Sequence, residues 1–167
     1  MTVRRVIASA TALAIGGALA APALGAPAFP LRLERPRGEE KVTVAAGPAA
    51  LHLVFLATWC APCLEELPRL ADLESRFSGR GYRLVLIAVA TRQTSERLVR
   101  FLDQTGPPGE LLFDRAGAAQ RALEVERIPM HVIVDAAGNV VLRSPRLDGS
   151  VEGALDALVD EGEPAGE

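Results

Sequence analysis

The sequence predicts an α/β fold built on a mixed sheet. Three observations carry this. Strand-like and helix-like segments alternate through the middle of the chain, which argues for helices packed on a sheet with a parallel portion. The last two strand-like segments are separated only by Asp135-Ala136-Ala137-Gly138-Asn139, a turn that folds them into an antiparallel hairpin. One strand-to-helix junction, Trp59-Cys60-Ala61-Pro62-Cys63, holds the only two cysteines of the 167-residue chain.

The elements follow in order. Leu31-Arg32-Leu33 and Val42-Thr43-Val44 alternate, with Pro36-Arg37-Gly38 between them, and predict a small N-terminal hairpin that Gly47-Pro48 ends. Leu51 to Ala57 is a continuous apolar run, the signature of a buried strand. A helix is expected from Ala61 to about Gly79, because Leu64, Leu67, Leu70, Leu73 and Phe77 recur on one face. Pro68 lies inside it and should kink it. Tyr82 to Ala90 predicts a second strand. Ser95 can cap a helix running to about Gln104, with Leu98, Phe101 and Leu102 inward. Gly106-Pro107-Pro108-Gly109 is a loop, Leu111 to Phe113 a short strand and Ala116 to Leu123 a short helix. Met130 to Val134 and Val140 to Leu142 form the closing hairpin. Val151 to Val159 is the last helix, and the acidic end is expected to fray. The expected organisation is a targeting segment at 1–26, one domain at 27–160 and a disordered acidic tail at 161–167.

A Cys-x-x-Cys at a helix start is a redox device. Both sulfurs fall within one turn, close enough to bridge. The first points off the helix N-terminus, where unpaired N–H groups and the macrodipole favour thiolate over thiol. Pro62 suits the first turn, where its missing N–H is no loss. Two competing readings exist. Structural zinc needs four ligands, and the remaining candidates, His52 and His131, do not stand in a ligand pair. Inert core cysteines have no reason to adopt this spacing. No metal or other cofactor is expected.

Hydrophobic residues make up 49% of the chain and charged residues 23%, as in a soluble globular domain. Aromatics are only 4%, so Leu, Val, Ala and Ile must build the core. A net charge of −3 with no basic run gives no support to a nucleic-acid partner. Arg4-Arg5 followed by the uncharged, Ala-rich run Val6 to Ala21 predicts a signal peptide, cut after Ala23 or Gly25, or a retained N-terminal membrane anchor. The expected location is therefore periplasmic or otherwise exported. In an exported protein a bridge spanning two residues restrains little of the unfolded chain, so its use is chemistry rather than stapling.

The chain resembles the thioredoxin-fold proteins of the TlpA/ResA type, exported thiol–disulfide reductases that include cytochrome c maturation factors. The resemblance covers roughly Leu31 to Asp160. It rests on Phe55-Leu56-Ala57-Thr58-Trp59-Cys60-Ala61-Pro62-Cys63, on Pro68 five residues past Cys63, on Leu111-Leu112-Phe113-Asp114 with its short helix, and on Ile128-Pro129 before Val132-Ile133-Val134-Asp135. It implies a thioredoxin-like three-layer α/β/α sandwich with a mixed central sheet, an N-terminal hairpin and an inserted βα element. It implies a Cys60–Cys63 disulfide in the oxidised protein. It implies a cis Pro129 against the cysteines, exposing the Ile128 backbone to an extended partner segment. Trp59 and Pro62 then border the docking groove, although plain core packing is the other reading of Trp59.

Glu66, three residues past Cys63, matches the Cys-x-x-Cys-x-x-Glu of ResA-like reductases. One helical turn below Cys63, its carboxylate would raise the thiol pKa and serve as its base. The alternative is that Glu65 and Glu66 complement the helix start on a wet face. The chain departs from the family at Val54, where many members carry Asp or Asn. It departs again at Met130-His131, in place of small hydroxyl residues. His131 could face either side of the sheet. His52 is read as hydrogen-bonded rather than catalytic.

The implied reaction is reduction of disulfide-containing envelope proteins by the Cys60–Cys63 dithiol, with re-reduction by a membrane thiol–disulfide electron donor. Two alternatives stand beside it. One is a copper(I)-handling module using Cys60, Cys63 and Met130. The other is a peroxiredoxin-like peroxidase, for which Thr58-Trp59-Cys60 has the wrong spacing by one.

Overall fold

The computed structural model describes residues 29–38 and 40–162. The targeting segment and residues 163–167 of the expected tail lie outside the described residues.

A seven-stranded open sheet has the order β2-β1-β5-β4-β3-β6-β7. At its centre is β3 (Ala50–Leu56), all seven residues of which are buried. A strand buried along its whole length needs cover on both faces, which is why it reads as a continuous apolar run rather than an alternating one. It pairs parallel with β4 (Tyr82–Val89), which pairs parallel with β5 (Glu110–Asp114). On its other side lies β6 (Met130–Asp135), antiparallel, and β6 pairs with β7 (Val140–Ser144). The N-terminal hairpin, β1 (Leu31–Glu34) and β2 (Lys41–Val44), extends the sheet beyond β5. The fold is the thioredoxin-like one, with β5 and the short α4 (Ala118–Ala122) inserted between the core strands.

Pro68 does more than kink the first helix. It divides it into α1 (Ala61–Glu65) and α2 (Leu67–Arg76). A proline has no N–H to offer the carbonyl four residues back, here that of Leu64, which instead accepts from the Glu66 N–H. The next helix, α3 (Ser95–Thr105), is capped by Thr94 and not by Ser95: the Thr94 hydroxyl accepts from the Arg97 N–H at 3.3 Å. Ser95 is the first helical residue, and its hydroxyl accepts from Arg115 at 2.7 Å. The last helix, α5 (Gly149–Gly162), starts earlier and ends later than its apolar face suggests.

The extension of α5 has a tertiary cause. Arg69, Arg76 and Arg80, on α2 and just past its end, pair with Glu152, Asp156 and Asp160 at 2.6, 2.6 and 2.5 Å. Each such surface pair contributes about 0–1 kcal/mol, but the row draws Asp160 into the helix. Among the turns, Gly109 is required for two reasons. Its φ is +67°, and a Cβ there would meet the Leu84 carbonyl at 2.7 Å.

Candidate active site

The site lies at the C-terminal end of β3. The chain turns sharply after Ala57, and the Cys60 N–H donates to the Ala57 carbonyl at 3.0 Å. Cys60 is the N-cap of α1 and Pro62 sits in its first turn. Cys60 and Cys63 are joined by a disulfide, with Cα atoms 5.3 Å apart. Cys60 is 6% exposed and Cys63 2%, while Ala61 and Pro62 between them are exposed. Cys60 is thus the less buried of the two.

The parallel and antiparallel neighbours of β3 bring two further segments to this end. On one side, register sets Phe55 opposite Met130, and one more step brings Pro129 level with Leu56. The Ile128–Pro129 peptide is cis, with Pro129 buried and Ile128 half-buried. On the other side, the loop after β4 carries Thr91, Arg92 and Gln93. Trp59 is 40% exposed and is not a core residue. Its indole N–H donates to the Thr91 carbonyl at 2.9 Å, and the Arg92 guanidinium stands 4.5 Å over its ring. Gln93 is buried and holds the cysteine loop. Its side-chain oxygen accepts from the Thr58 N–H at 3.3 Å, and its amide donates to the Thr58 hydroxyl at 3.1 Å. Thr91, Arg92 and Gln93 escape a sequence reading because nothing local marks a loop that only sheet pairing brings near the cysteines.

Glu65 and Glu66 part company. Glu65 is exposed, as a wet helix start requires. Glu66, at the break between α1 and α2, turns inward with its side chain 16% exposed. One carboxylate oxygen accepts from the Leu147 N–H at 2.8 Å, and the other lies 3.0 Å from His131 Nε2. His131 is fully buried. Its register partner on β3 is Val54, so it faces the α1–α2 side at the position next to the missing acid. His131 Nδ1 lies 3.0 Å from Nε2 of the buried His52, whose Nδ1 lies 2.9 Å from the Tyr82 hydroxyl. The hint in the sequence was the period-two spacing of β3, which sets His52 and Val54 on one face.

Burial is the largest influence on Glu66 and pushes its pKa up. It is outweighed by the bond from His131, the Leu147 N–H and the attraction of His131 and Arg69, so the carboxyl sits below its ordinary value. His52 is held well below its ordinary 6.5, first by burial and then by His131. Burial and then the Glu74 charge push the Tyr82 phenol up.

These shifts predict an acid-sensitive fold. Unfolding lets His52 take up a proton that the native site refuses. Its contribution to stability therefore falls as pH drops below 6.5. Glu66 contributes fully above its ordinary 4.5 and loses that contribution as pH falls through its lower native value. Denaturant midpoints measured across this range should show a shoulder beginning near 6.5 that His52→Gln removes. A wild-type midpoint that stays level from neutral pH down to 4.5 contradicts this.

The site can do two-electron thiol chemistry: a cysteine pair whose first member is the less buried, and a carboxylate one turn further on. Among the described residues no group of three or more His, Cys, Asp and Glu side chains is placed to hold a metal ion.

The Redoxin family profile matches residues 26–154 of this chain. A thiol-disulfide oxidoreductase ResA from Bacillus thuringiensis subsp. konkukian is 26% identical over 91 residues, 54% of this chain and 51% of that protein. A thiol:disulfide interchange protein CycY from Rhizobium leguminosarum bv. viciae is 32% identical over 104 residues, 61% of this chain and 53% of that protein. The chain thus spans about half the length of the curated relatives it matches. The crystal structure of StoA from Bacillus subtilis covers 78% of this chain and 99% of its own, with a TM-score of 0.64 and 17% identity. An uncharacterized conserved protein from Geobacillus kaustophilus superposes with a TM-score of 0.70 at 23% identity, covering 86% of this chain and 85% of its own. At such identities these structures speak to the fold alone.

Proposed function

The chain belongs to the Redoxin family, as a thioredoxin-like protein of the TlpA/ResA type, and on that footing we propose that it is an exported thiol–disulfide oxidoreductase that reduces partner proteins. The observation that carries this reading is the Cys60–Cys63 pair at the start of α1, with Cys60 the less buried residue of the two. Cys60 thiolate attacks one sulfur of a partner disulfide. The other partner sulfur leaves as a thiolate and takes a proton, and Cys60 is left in a mixed disulfide. Cys63 gives its proton to Glu66 or water and attacks the Cys60 sulfur. The second partner thiolate is released, and two electrons have passed to the partner. The protein is left with the Cys60–Cys63 disulfide, and a membrane thiol–disulfide donor restores the dithiol.

Direction follows from charge. Ala61-Pro62 offers no basic group, and Glu65 and Glu66 add negative charge nearby. Both disfavour the very stable thiolate of a strong oxidant. The docking groove is bordered by Trp59 and Arg92 on one side and by Ile128 and Pro129 on the other. A free strand edge of the partner fits along the cis peptide. A substrate in cytochrome c maturation or metal-centre assembly is the partner class that the resemblance to the TlpA/ResA type implies. The copper reading rests on the thiol pair and Met130 alone. Among the described residues no helix is long and apolar enough to cross a membrane; the anchor proposed here, if retained, is the Arg4–Ala21 segment.

Expressing Cys63→Ser tests partner and compartment together. Cys60-linked mixed disulfides with exported proteins should accumulate, and mass spectrometry of the fractionated protein should find an N-terminus near Leu24 or Ala26, or an intact membrane-bound one. A cytosolic protein starting at Met1, or adducts that persist in the Cys60→Ser, Cys63→Ser double variant, would sink the proposal.

A further inference from the structure

Four side chains form a line through the interior: Glu66, His131, His52 and Tyr82, linked at 3.0, 3.0 and 2.9 Å. Both histidines are fully buried. A buried polar chain is costly unless every member is satisfied, and dithiol chemistry by itself does not call for one.

The ends of the line set its direction. A carboxylate only accepts, so His131 Nε2 carries a proton and donates to Glu66. In a neutral ring Nδ1 then accepts, so His52 Nε2 donates to His131 Nδ1. His52 Nδ1 in turn accepts from the Tyr82 hydroxyl, whose raised pKa keeps it a donor. With Glu66 ionised, every polar atom along the line has its proton and its partner. Among the described residues no buried side-chain nitrogen or oxygen lacks one. If Glu66 donates instead, both rings must change tautomer and Tyr82 must accept, leaving its own proton to find a new partner. The line therefore favours one charge state of Glu66.

We propose that His131 and His52, terminated by Tyr82, are positioning residues that hold the Glu66 carboxylate ionised and aimed for the resolving step at Cys63. β6 thereby supplies, opposite Val54, the polar group that β3 lacks. The inference rests on the reading of Glu66 as the Cys63 base. In the step itself the Cys63 thiol proton passes to Glu66, the Cys63 sulfur bonds to the Cys60 sulfur, and the partner thiolate leaves. Glu66 then loses the proton to water at its exposed edge. Other groups also bear on the line. Arg69 of α2 attracts Glu66 and is itself shared with Glu152 of α5. The Leu147 N–H holds the second carboxylate oxygen. Glu74 of α2 acts on Tyr82.

The reduced full chain, mixed with dithionitrobenzoate, releases one thionitrobenzoate as Cys60 attacks and a second as Cys63 resolves. The pH dependence of the second phase is the readout. His131→Leu should move its acid limb upward by about one pH unit or more, the effect of losing a hydrogen bond that favours the ionised carboxylate. His52→Leu should move it less, in the same direction. His131→Gln, whose amide can still donate to Glu66, should restore it. The first phase should be unchanged in all three. In the wild-type protein the ring ¹⁵N shifts should show Nε2–H on both histidines. If Glu66→Gln slows resolution while both Leu variants leave the limb in place, the relay is overturned and the Glu66 reading survives. If Glu66→Gln changes nothing, both fall. A proton on Nδ1 of either ring in the native state also overturns the relay, and that measurement decides should His131→Leu not fold.

Discussion

Cys60→Ser is expected to bring disulfide reduction down to the uncatalysed background, a loss of about 10³-fold or more, the scale on which removal of a nucleophile is felt. A serine hydroxyl in the same place stays protonated and does not attack sulfur. Cys63→Ser should behave differently. One leaving thiolate should appear per protein molecule, and the reaction should then stop at the mixed disulfide. The asymmetry follows from position. Cys60 caps the open end of α1 and is the less buried of the two residues, while Cys63 is 2% exposed. Alkylation of the reduced protein below neutral pH should accordingly label Cys60 first. Preferential labelling of Cys63, or a full second release from Cys63→Ser, would exchange the two roles.

Phe77→Ala should cost about 3–5 kcal/mol of stability, the scale of truncating a fully buried aromatic ring. The ring is fully buried where α2 ends, and its N–H closes the helix on the Leu73 carbonyl at 3.0 Å. Its centroid is 5.4 Å from that of Tyr82, and the Arg76 and Arg80 guanidinium groups lie 4.9 and 5.7 Å from it. Truncation empties a space that a helix end, a strand and two stacked cations jointly enclose, and none of these can move in without breaking its own contacts. Urea titration should show a lower midpoint with an unchanged slope. A loss below about 1 kcal/mol would mean that the end of α2 collapses into the gap. Phe77→Leu should lose much less, and Cys60 alkylation should be unaffected in both, since Phe77 lies at the opposite end of α2 from the cysteines.

What the sequence determined by itself is whatever a short window can encode. The continuous apolar run of β3 announces a strand covered on both faces. The cysteine spacing announces a redox pair, and Pro68 announces a break, because a missing N–H acts on its own helix. The mixed sheet follows from the alternation of elements and the closing turn. Local sequence is ambiguous where a distant partner decides between near-equal options. Thr94 and Ser95 can both cap, and Arg115 occupies the hydroxyl of one of them. Asp160 can fray or continue a helix, and Arg80 holds it in the helix. The polar line beneath the cysteines is the extreme case. Its links join residues 65, 79 and 30 positions apart. Alternation within β6 shows that His131 shares a face with Ile133. Which face that is depends on the antiparallel register of β6 against β3, and a slip of one residue would turn His131 away from Glu66 altogether. Register is set by the burial of both strands at once, so the partner of Glu66 exists only once the sheet has assembled.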